Sequence, residues 1–424
     1  HFIIIGFMSQ QIFDKPTRRQ LLSLYLVCGI AEFANYMICL GMVYHLSSRF
    51  GLDSFAIGIA SSVNTASYLL FCLFFESQYE KIKPAVCIMV SLLGMGSCAL
   101  VLGITSSVTL FIVLLFLYGA FRSMLWPQIT GLINRGKEGI ALSKAQGGFN
   151  LSWNLFAGLS PLFSGLILQA STSIVFVVSA GLIYIAMAFL FSSPLTRSAE
   201  SDRTQIAAEG MKDHSTVLRF FAWAGLVLVY LESNSTLTVF PLFGQDSLGF
   251  SELQTGILLS IKGTVASVLF ILIGRMSWWK FKKWVLFSSQ ALLVAACLLG
   301  QQIADFASAL VYCLVLGVCF AFIYSQALFY AMSGAVNKSK RMMFHEVILT
   351  LGCVIGSTGG GYVYRQSGWA YLMQDIMLLS IAVLAIELML AYYMHRNNVA
   401  DYVSHFNDKD SAGSSRLTSD LQKH

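Results

Sequence analysis

Four ionisable residues stand inside long apolar stretches of this sequence: Glu32, Arg122, Glu232 and Lys262. If those stretches cross a lipid bilayer, each charge at mid-depth costs ~2.5–3.5 kcal/mol even on the mildest scale. Such residues must pair with an opposite charge, line water or take part in chemistry. We expect two pairs, Glu32 with Arg122 and Glu232 with Lys262. A carboxylate whose basic partner can move away is able to bind and release a proton.

Amide and aromatic side chains recur at helical spacing near these charges. Amides hydrogen-bond a polar solute and rings stack on it, so a cavity lined by both would suit a polar organic molecule. Hydrogen bonding between helices is the alternative role for the amides. The candidate cavity residues are Asn35, Tyr36, Asn64, Trp126, Gln128, Gln146, Asn150, Trp153, Asn154, Tyr324 and Gln326.

The composition indicates which elements must position these residues. Of the 424 residues 56% are hydrophobic and only 11% are charged, and the mean hydropathy is +0.70. We identify twelve apolar stretches near the ~20 residues that a membrane-spanning helix needs; the fourth is 109–132. Helices satisfy their own backbone hydrogen bonds in lipid. The sequence therefore predicts an all-α integral membrane protein with twelve transmembrane helices.

The basic residues are concentrated on one side of the membrane. All but four of the 27 lysines and arginines lie in the termini or in loops on the same side as the termini. Arg49 and Arg365 lie on the other side, and Arg122 and Lys262 lie within spans. The positive-inside rule places both termini in the cytoplasm. The net charge of +6 therefore does not indicate nucleic-acid binding, and the compact loops favour a bacterial inner membrane.

A polar stretch after the sixth span divides the chain into two six-helix halves. The predicted organisation is a cytoplasmic N-terminal segment 1–20, a first half 21–192, a cytoplasmic linker 193–216, a second half 217–395 and a disordered cytoplasmic tail 396–424. Landmarks of the halves coincide after a shift of 198 residues, which superimposes Gly51 on Gly249, Gly58 on Gly256, Gly119 on Gly317, Gly136 on Gly334 and Gly158 on Gly356. Parallel six-helix repeats are typical of one large class of secondary transporters.

The loops after the second and eighth spans carry two partial copies of one motif. The first copy keeps the acid–base pair Glu80-Lys81, and the second keeps Gly274 and the basic pair Lys282-Lys283. Residues 18–396 resemble the major facilitator superfamily in this motif, in the number of spans and in the repeat of the two halves. The resemblance implies two halves that rock around a central cavity lined by helices 1, 4, 7 and 10.

We expect a secondary active transporter that moves a small polar organic solute of the sugar or organic acid type, coupled to protons and acting as a monomer. A multidrug or metabolite efflux antiporter is one alternative, and a transporter-like sensor or lipid-handling protein is another. We do not expect an enzyme, because no nucleophile with a base sits at a membrane face. The nine cysteines show no metal-ligand spacing, so no cofactor is expected. His345 and Glu346 are expected at the cytoplasmic edge of the eleventh span, and the sequence does not explain Glu387.

Overall fold

The computed structural model describes residues 18–79, 82–135, 137, 139–191, 216–335 and 338–397. The predicted linker, except Thr216, and most of both terminal segments lie outside the described residues, as do Glu80 and Lys81. The described residues form thirteen α-helices: α1 (Arg18–Phe50), α2 (Ser54–Tyr79), α3 (Pro84–Ile104), α4 (Val108–Ser123), α5 (Leu125–Asn134), α6 (Gly139–Leu168), α7 (Thr172–Phe191), α8 (Leu218–Leu248), α9 (Glu252–Arg275), α10 (Lys283–Gln301), α11 (Phe306–Met332), α12 (Lys338–Ser367) and α13 (Trp369–Arg396).

The described residues contain twelve spans that are long and apolar enough to cross a membrane, which confirms the predicted fold class. The fourth span, predicted as one helix, is divided into α4 and α5 by a turn at Met124. Pro127 has no backbone N–H to donate to the carbonyl four residues before it, at Ser123. The Ser123 carbonyl accepts a hydrogen bond from Cys72 Sγ at 3.9 Å instead. The break leaves Arg122 in the last turn of α4, where carbonyl dipoles favour a cation.

The 198-residue repeat is present in three dimensions. An ideal Cβ on Gly119 of α4 would lie 2.3 Å from the carbonyl oxygen of Asn64, and one on Gly317 of α11 would lie 2.6 Å from that of Lys262. These two contacts are equivalent under the shift, because Asn64 coincides with Lys262. Helices α1–α7 form the N-half and α8–α13 form the C-half.

The two halves meet through helix pairs near one membrane face. We call the face where α1 begins and α13 ends the terminal face, and the opposite face, which contains residues 51–53 and 368, the distal face. Between α2 and α12, Ser54 Oγ donates to the Gly361 carbonyl at 2.8 Å, and the hydroxyls of Ser62 and Thr358 are 2.6 Å apart. These residues lie in the distal part of their helices.

The second contact between the halves joins α6 and α9. Ser260 Oγ accepts a hydrogen bond from the backbone N–H of Leu162 at 2.7 Å. Leu162 directly follows Pro161 in the sequence. Ser260 Oγ also donates a hydrogen bond to the Leu159 carbonyl at 3.4 Å. Together with the α2–α12 contact, this packing closes the distal face by direct contact between the halves.

Candidate functional site

The structure brings Glu32 of α1 and Arg122 of α4 together. Arg122 Nη2 lies 3.2 Å from Glu32 Oε1, with side-chain exposures of 18% and 5% respectively. Asn35 Nδ2, one helical turn from Glu32, donates to the same oxygen at 3.3 Å. The Arg122 guanidinium lies over the Tyr68 ring of α2, 5.0 Å from its centroid. The cation is therefore held by a carboxylate on one side and an aromatic ring on another.

This ion pair is incompletely hydrogen-bonded. Glu32 Oε2, Asn35 Oδ1, Arg122 Nε and Asn64 Oδ1 are buried and have no hydrogen-bond partner among the described residues. Buried polar atoms without partners are costly, and they commonly mark a place for water or a ligand. The pair therefore leaves both an acceptor and a donor for a polar solute or for water.

An aromatic contact joins the halves beside this pair. The rings of Trp153 on α6 and Tyr324 on α11 are 6.3 Å apart at an interplanar angle of 75°. Trp153 Nε1 donates to Asn150 Oδ1 at 3.4 Å, which orients the indole. Tyr36 and Trp126 are half-buried, and the Trp126 ring packs against Phe149 at 6.2 Å. These residues provide the mixture of rings and amides that a polar organic solute requires.

Several predicted cavity amides instead serve helix packing. Gln326 is buried between α10 and α11, where Nε2 donates to the Val285 carbonyl at 3.3 Å and Oε1 accepts from Ser289 at 3.1 Å. Asn154 Nδ2 donates to the backbone carbonyl of Asn150 at 2.8 Å. Gln128 is buried on α5, whereas Gln146 is exposed near the start of α6. Gln326 thus fills the alternative role of a contact between helices, whereas the Asn154 amide bonds within its own helix.

Glu232 and Lys262, which we expected to pair, do not form a direct salt bridge in the described part of the chain. Glu232 Oε1 accepts hydrogen bonds from Thr236 Oγ1 at 2.8 Å and from the Tyr312 hydroxyl of α11. Lys262 Nζ lies 3.4 Å from the backbone carbonyl of Ser233. The two side chains therefore have different direct partners, although they lie close enough for their charges to interact. Glu232 lies inside the C-half, fully buried against α11.

Glu346 is a functional candidate that the sequence analysis placed at the membrane edge. The eleventh span was expected to begin near this residue, but α12 begins eight residues earlier, at Lys338. Glu346 is half-buried and close enough to Arg122 for their charges to interact. Its neighbour His345 is fully buried, and the His345 ring packs against Tyr324 at 5.7 Å. Hydropathy could not reveal this position, because the polar start of α12 resembles a loop.

The second copy of the loop motif lies where α9 meets α10. Gly274 is in the last turn of α9, Lys282 caps the N-terminus of α10 and Lys283 is the first residue of that helix. The first copy, Glu80-Lys81, falls outside the described residues. The motif copy in the C-half therefore lies at the terminal face, away from Glu32 and Arg122.

Comparison with known proteins identifies the family to which this arrangement belongs. The family model of the Major Facilitator Superfamily matches residues 24–344. The chain belongs to the Major Facilitator Superfamily. It is thus a multi-pass membrane protein of a transporter family, and the family indicates a transporter rather than an enzyme. No curated protein matches the sequence.

Solved structures similar to this superfamily member are transporters of low sequence identity. A POT family transporter in complex with 5-aminolevulinic acid has a TM-score of 0.73 and 11% identity, covering 90% of this chain and 98% of that one. A POT family transporter with a thioalcohol-conjugated peptide has a TM-score of 0.70 and 13% identity, covering 89% and 96%. The nucleoside transporter NupG has a TM-score of 0.67 and 14% identity, covering 87% and 98%. At these identities the likeness establishes the fold.

Proposed function

We propose that this protein is a secondary active transporter that moves a small polar organic solute across the membrane by alternating access, coupled to protons. The observation that carries the proposal is the buried pair of Glu32 and Arg122, whose 3.2 Å contact leaves Glu32 Oε2 and Arg122 Nε without partners. A permanent structural ion pair would be expected to have its remaining donors and acceptors satisfied.

The pair supplies a route from solute binding to proton binding. An anionic group of the solute, such as the carboxylate of an organic acid, would compete with Glu32 for the Arg122 guanidinium. Glu32 would then be a buried carboxylate without its cation, and it would bind a proton because its environment disfavours the charge. The charge of Glu346 also interacts with that of Arg122. Glu346 is therefore a second acid whose protonation would change when the solute binds Arg122.

Alternating access accounts for the way in which the halves meet. The contacts at α2–α12 and α6–α9 hold the distal face closed. We propose that the two halves separate there in the other state, so that the solute site is exposed to one side at a time. We also propose that both termini are cytoplasmic, that the membrane is a bacterial inner membrane and that the transporter acts as a monomer.

The polar site favours a sugar or an organic acid over a lipophilic cation. The solved neighbours are named as peptide and nucleoside transporters, and one holds 5-aminolevulinic acid. These are polar organic solutes, in keeping with amides and a guanidinium in the site. Efflux of drugs or metabolites by antiport is the second candidate, because the aromatic contact of Trp153 and Tyr324 would also stack on planar apolar solutes.

A first experiment identifies the solute class. Thermal unfolding of the purified protein is measured with sugars, organic acids, amino acids and lipophilic cations at two pH values. A ligand at 100 times its dissociation constant stabilises the fold by ~2.7 kcal/mol. Stabilisation by polar solutes supports the proposal, whereas stabilisation by lipophilic cations alone favours efflux. No stabilisation by any of them would contradict a small-solute transporter and favour a sensor or a lipid-handling protein.

A second experiment tests proton coupling in proteoliposomes with the solute that the first identifies. Glu32→Gln is expected to retain solute exchange but to lose uphill accumulation driven by a proton gradient. Glu387→Gln is the matched control, because Glu387 is a buried carboxylate of α13 near Gln290, outside the Glu32–Arg122 site. Uphill accumulation that survives Glu32→Gln would show that Glu32 does not couple protons to transport.

A further inference from the structure

In the connection between α9 and α10, residues 276–282, Trp279 is turned inward while Trp278 and Lys282 are exposed. Trp279 is buried, with 4% of its surface exposed, and its Nε1 donates to the Ile273 carbonyl at 3.1 Å. Phe281 packs against Phe329 at 5.4 Å and against Tyr330 at 5.9 Å. These two aromatic residues anchor the connection to the end of α11.

The backbone of this connection is strained to achieve the inward packing. Phe281 is the one non-glycine residue with positive φ in the described part of the chain, at 58°. A bulky residue is unfavourable in this region and persists only where the surroundings enforce it. The ring contacts of Phe281 supply that enforcement. The strain fixes the direction of the neighbouring residues, so the outward side chains are presented in one arrangement.

The outward side chains combine tryptophan and lysine. Trp278 and Trp284 are 44% and 62% exposed, and their rings stack with centroids 6.0 Å apart at 26°. Lys282 is exposed and Lys283 is half-buried, and neither forms an ion pair among the described residues. The sequence has no acidic residue between Glu252 and Asp305, and both of these lie at the distal ends of α9 and α11, away from the two lysines.

This surface lies where lipid headgroups must be. Helices α9 and α10 both have the length and apolarity of membrane spans, so their connection is at the membrane boundary. Tryptophan is enriched at that boundary because its ring is apolar while its N–H is polar. Clustered lysines at the same depth attract anionic headgroups. Tryptophan or lysine alone would indicate only general contact with the membrane. Here both residue types lie on one connection, which favours a specific lipid site.

We infer that Trp278, Lys282, Lys283 and Trp284 form a binding site for the headgroup of an anionic phospholipid in the leaflet at the terminal face. The stacked indoles would lie against the glycerol and upper acyl region, and the two ammonium groups would contact the phosphate. The inference stands apart from the transport mechanism, since none of these residues belongs to the Glu32–Arg122 site.

The test uses the full chain in phosphatidylcholine vesicles that contain a trace of brominated lipid, which quenches nearby tryptophan fluorescence. Brominated phosphatidylglycerol is expected to quench more strongly than brominated phosphatidylcholine. The Trp278→Phe/Trp284→Phe variant gives the background from the other tryptophans. A membrane-surface lysine contributes about fivefold to anionic lipid binding, so Lys282→Gln/Lys283→Gln is expected to reduce the preference by up to about 30-fold.

The matched control is Arg18→Gln/Arg19→Gln, which removes two exposed charges from the start of α1 at the same face. That variant is expected to keep the preference for phosphatidylglycerol. Equal quenching by the two brominated lipids in the native chain would overturn the inference. An equal loss in both double variants would also overturn it, because the preference would then reflect the charge of the whole face.

Discussion

Arg365 Nη1 lies 3.1 Å from Asp53 Oδ2, and this ion pair joins the two halves at the distal face. The other carboxylate oxygen of Asp53 accepts a hydrogen bond from the backbone N–H of Ala56 at 2.8 Å. The Arg365 guanidinium also lies over the Phe55 ring, 5.1 Å from its centroid. Asp53 therefore caps the start of α2 and at the same time connects α2 to the end of α12.

We expect Asp53→Asn to loosen the closure of the distal face. Asparagine preserves the helix cap but removes the ion pair, and an exposed pair contributes about 0.2–1 kcal/mol. A cavity of about 590 Å³ beside the pair is lined in part by Ser47. Thiol labelling of Ser47→Cys should therefore become up to about fivefold faster when Asp53→Asn is added. Asp305→Asn is the control, since Asp305 caps α11 within one half, and it should leave the labelling rate unchanged.

The same carboxylate predicts a dependence of stability on pH. The hydrogen bond from Ala56 and the Arg365 guanidinium hold the pKa of Asp53 below its ordinary value. A lowered pKa in the folded state means that the stabilisation is present at neutral pH and is lost as the pH falls through that pKa. The difference in unfolding temperature between the native chain and Asp53→Asn should thus shrink below about pH 4. A difference that stays constant down to pH 3 would contradict this linkage.

A close backbone approach between α6 and α9 predicts a second way to separate the halves. A Cβ on Gly263 would lie 2.5 Å from Gly158 Cα, so Gly263→Ala must push the halves apart. We expect faster labelling of Ser47→Cys and a lower unfolding temperature, by roughly the 1–3 kcal/mol typical of overpacking. A Cβ on Gly181 of α7 would meet nothing within 4 Å, so Gly181→Ala should have neither effect. Equal behaviour of the two variants would show that this approach does not hold the halves together.

The hydroxyl of Tyr312 is expected to be important for the stability of the C-half. Tyr312→Phe removes a hydrogen bond to the buried Glu232, and loss of a partner by a buried polar group costs about 1–3 kcal/mol, more when it is charged. Tyr118→Phe is the matched control, because the Tyr118 hydroxyl is buried without a hydrogen-bond partner among the described residues. Thermal unfolding should show a loss for the first variant and little change for the second. Equal stability of both variants would mean that Glu232 does not depend on Tyr312.

Much of the architecture could be predicted from the sequence because hydrophobicity and helical rise act locally. A run of apolar residues fixes a span, and a rise of 1.5 Å per residue fixes the depth of each charge within it. Glu32 and Arg122 were expected to meet because both lie near mid-depth in one half, and the structure places them 3.2 Å apart. The repeat was also visible, because glycine is required wherever backbones approach as closely as at Gly119 and Gly317.

Depth alone does not decide which side of a helix meets which neighbour. Glu232 and Lys262 were expected to pair on adjacent spans, but packing turns Glu232 towards Tyr312 and brings Lys262 to the Ser233 carbonyl. In the same way, the Gln326 side chain hydrogen-bonds between α10 and α11 and does not line the cavity as predicted. The break before Pro127 was foreseeable as a kink, but the side chain that satisfies the freed carbonyl comes from α2.

The twelve spans, the division into two halves and the presence of charges inside the spans could be predicted from the order of residues along single helices. The packing of the helices against one another selected the partners of those charges and brought Glu346 close to Arg122. It also decided the pairing of Asp53 with Arg365 and the strained turn at Phe281. The reason is that rotation about a helix axis, and the choice of neighbouring helix, are set by the packing of all the spans together.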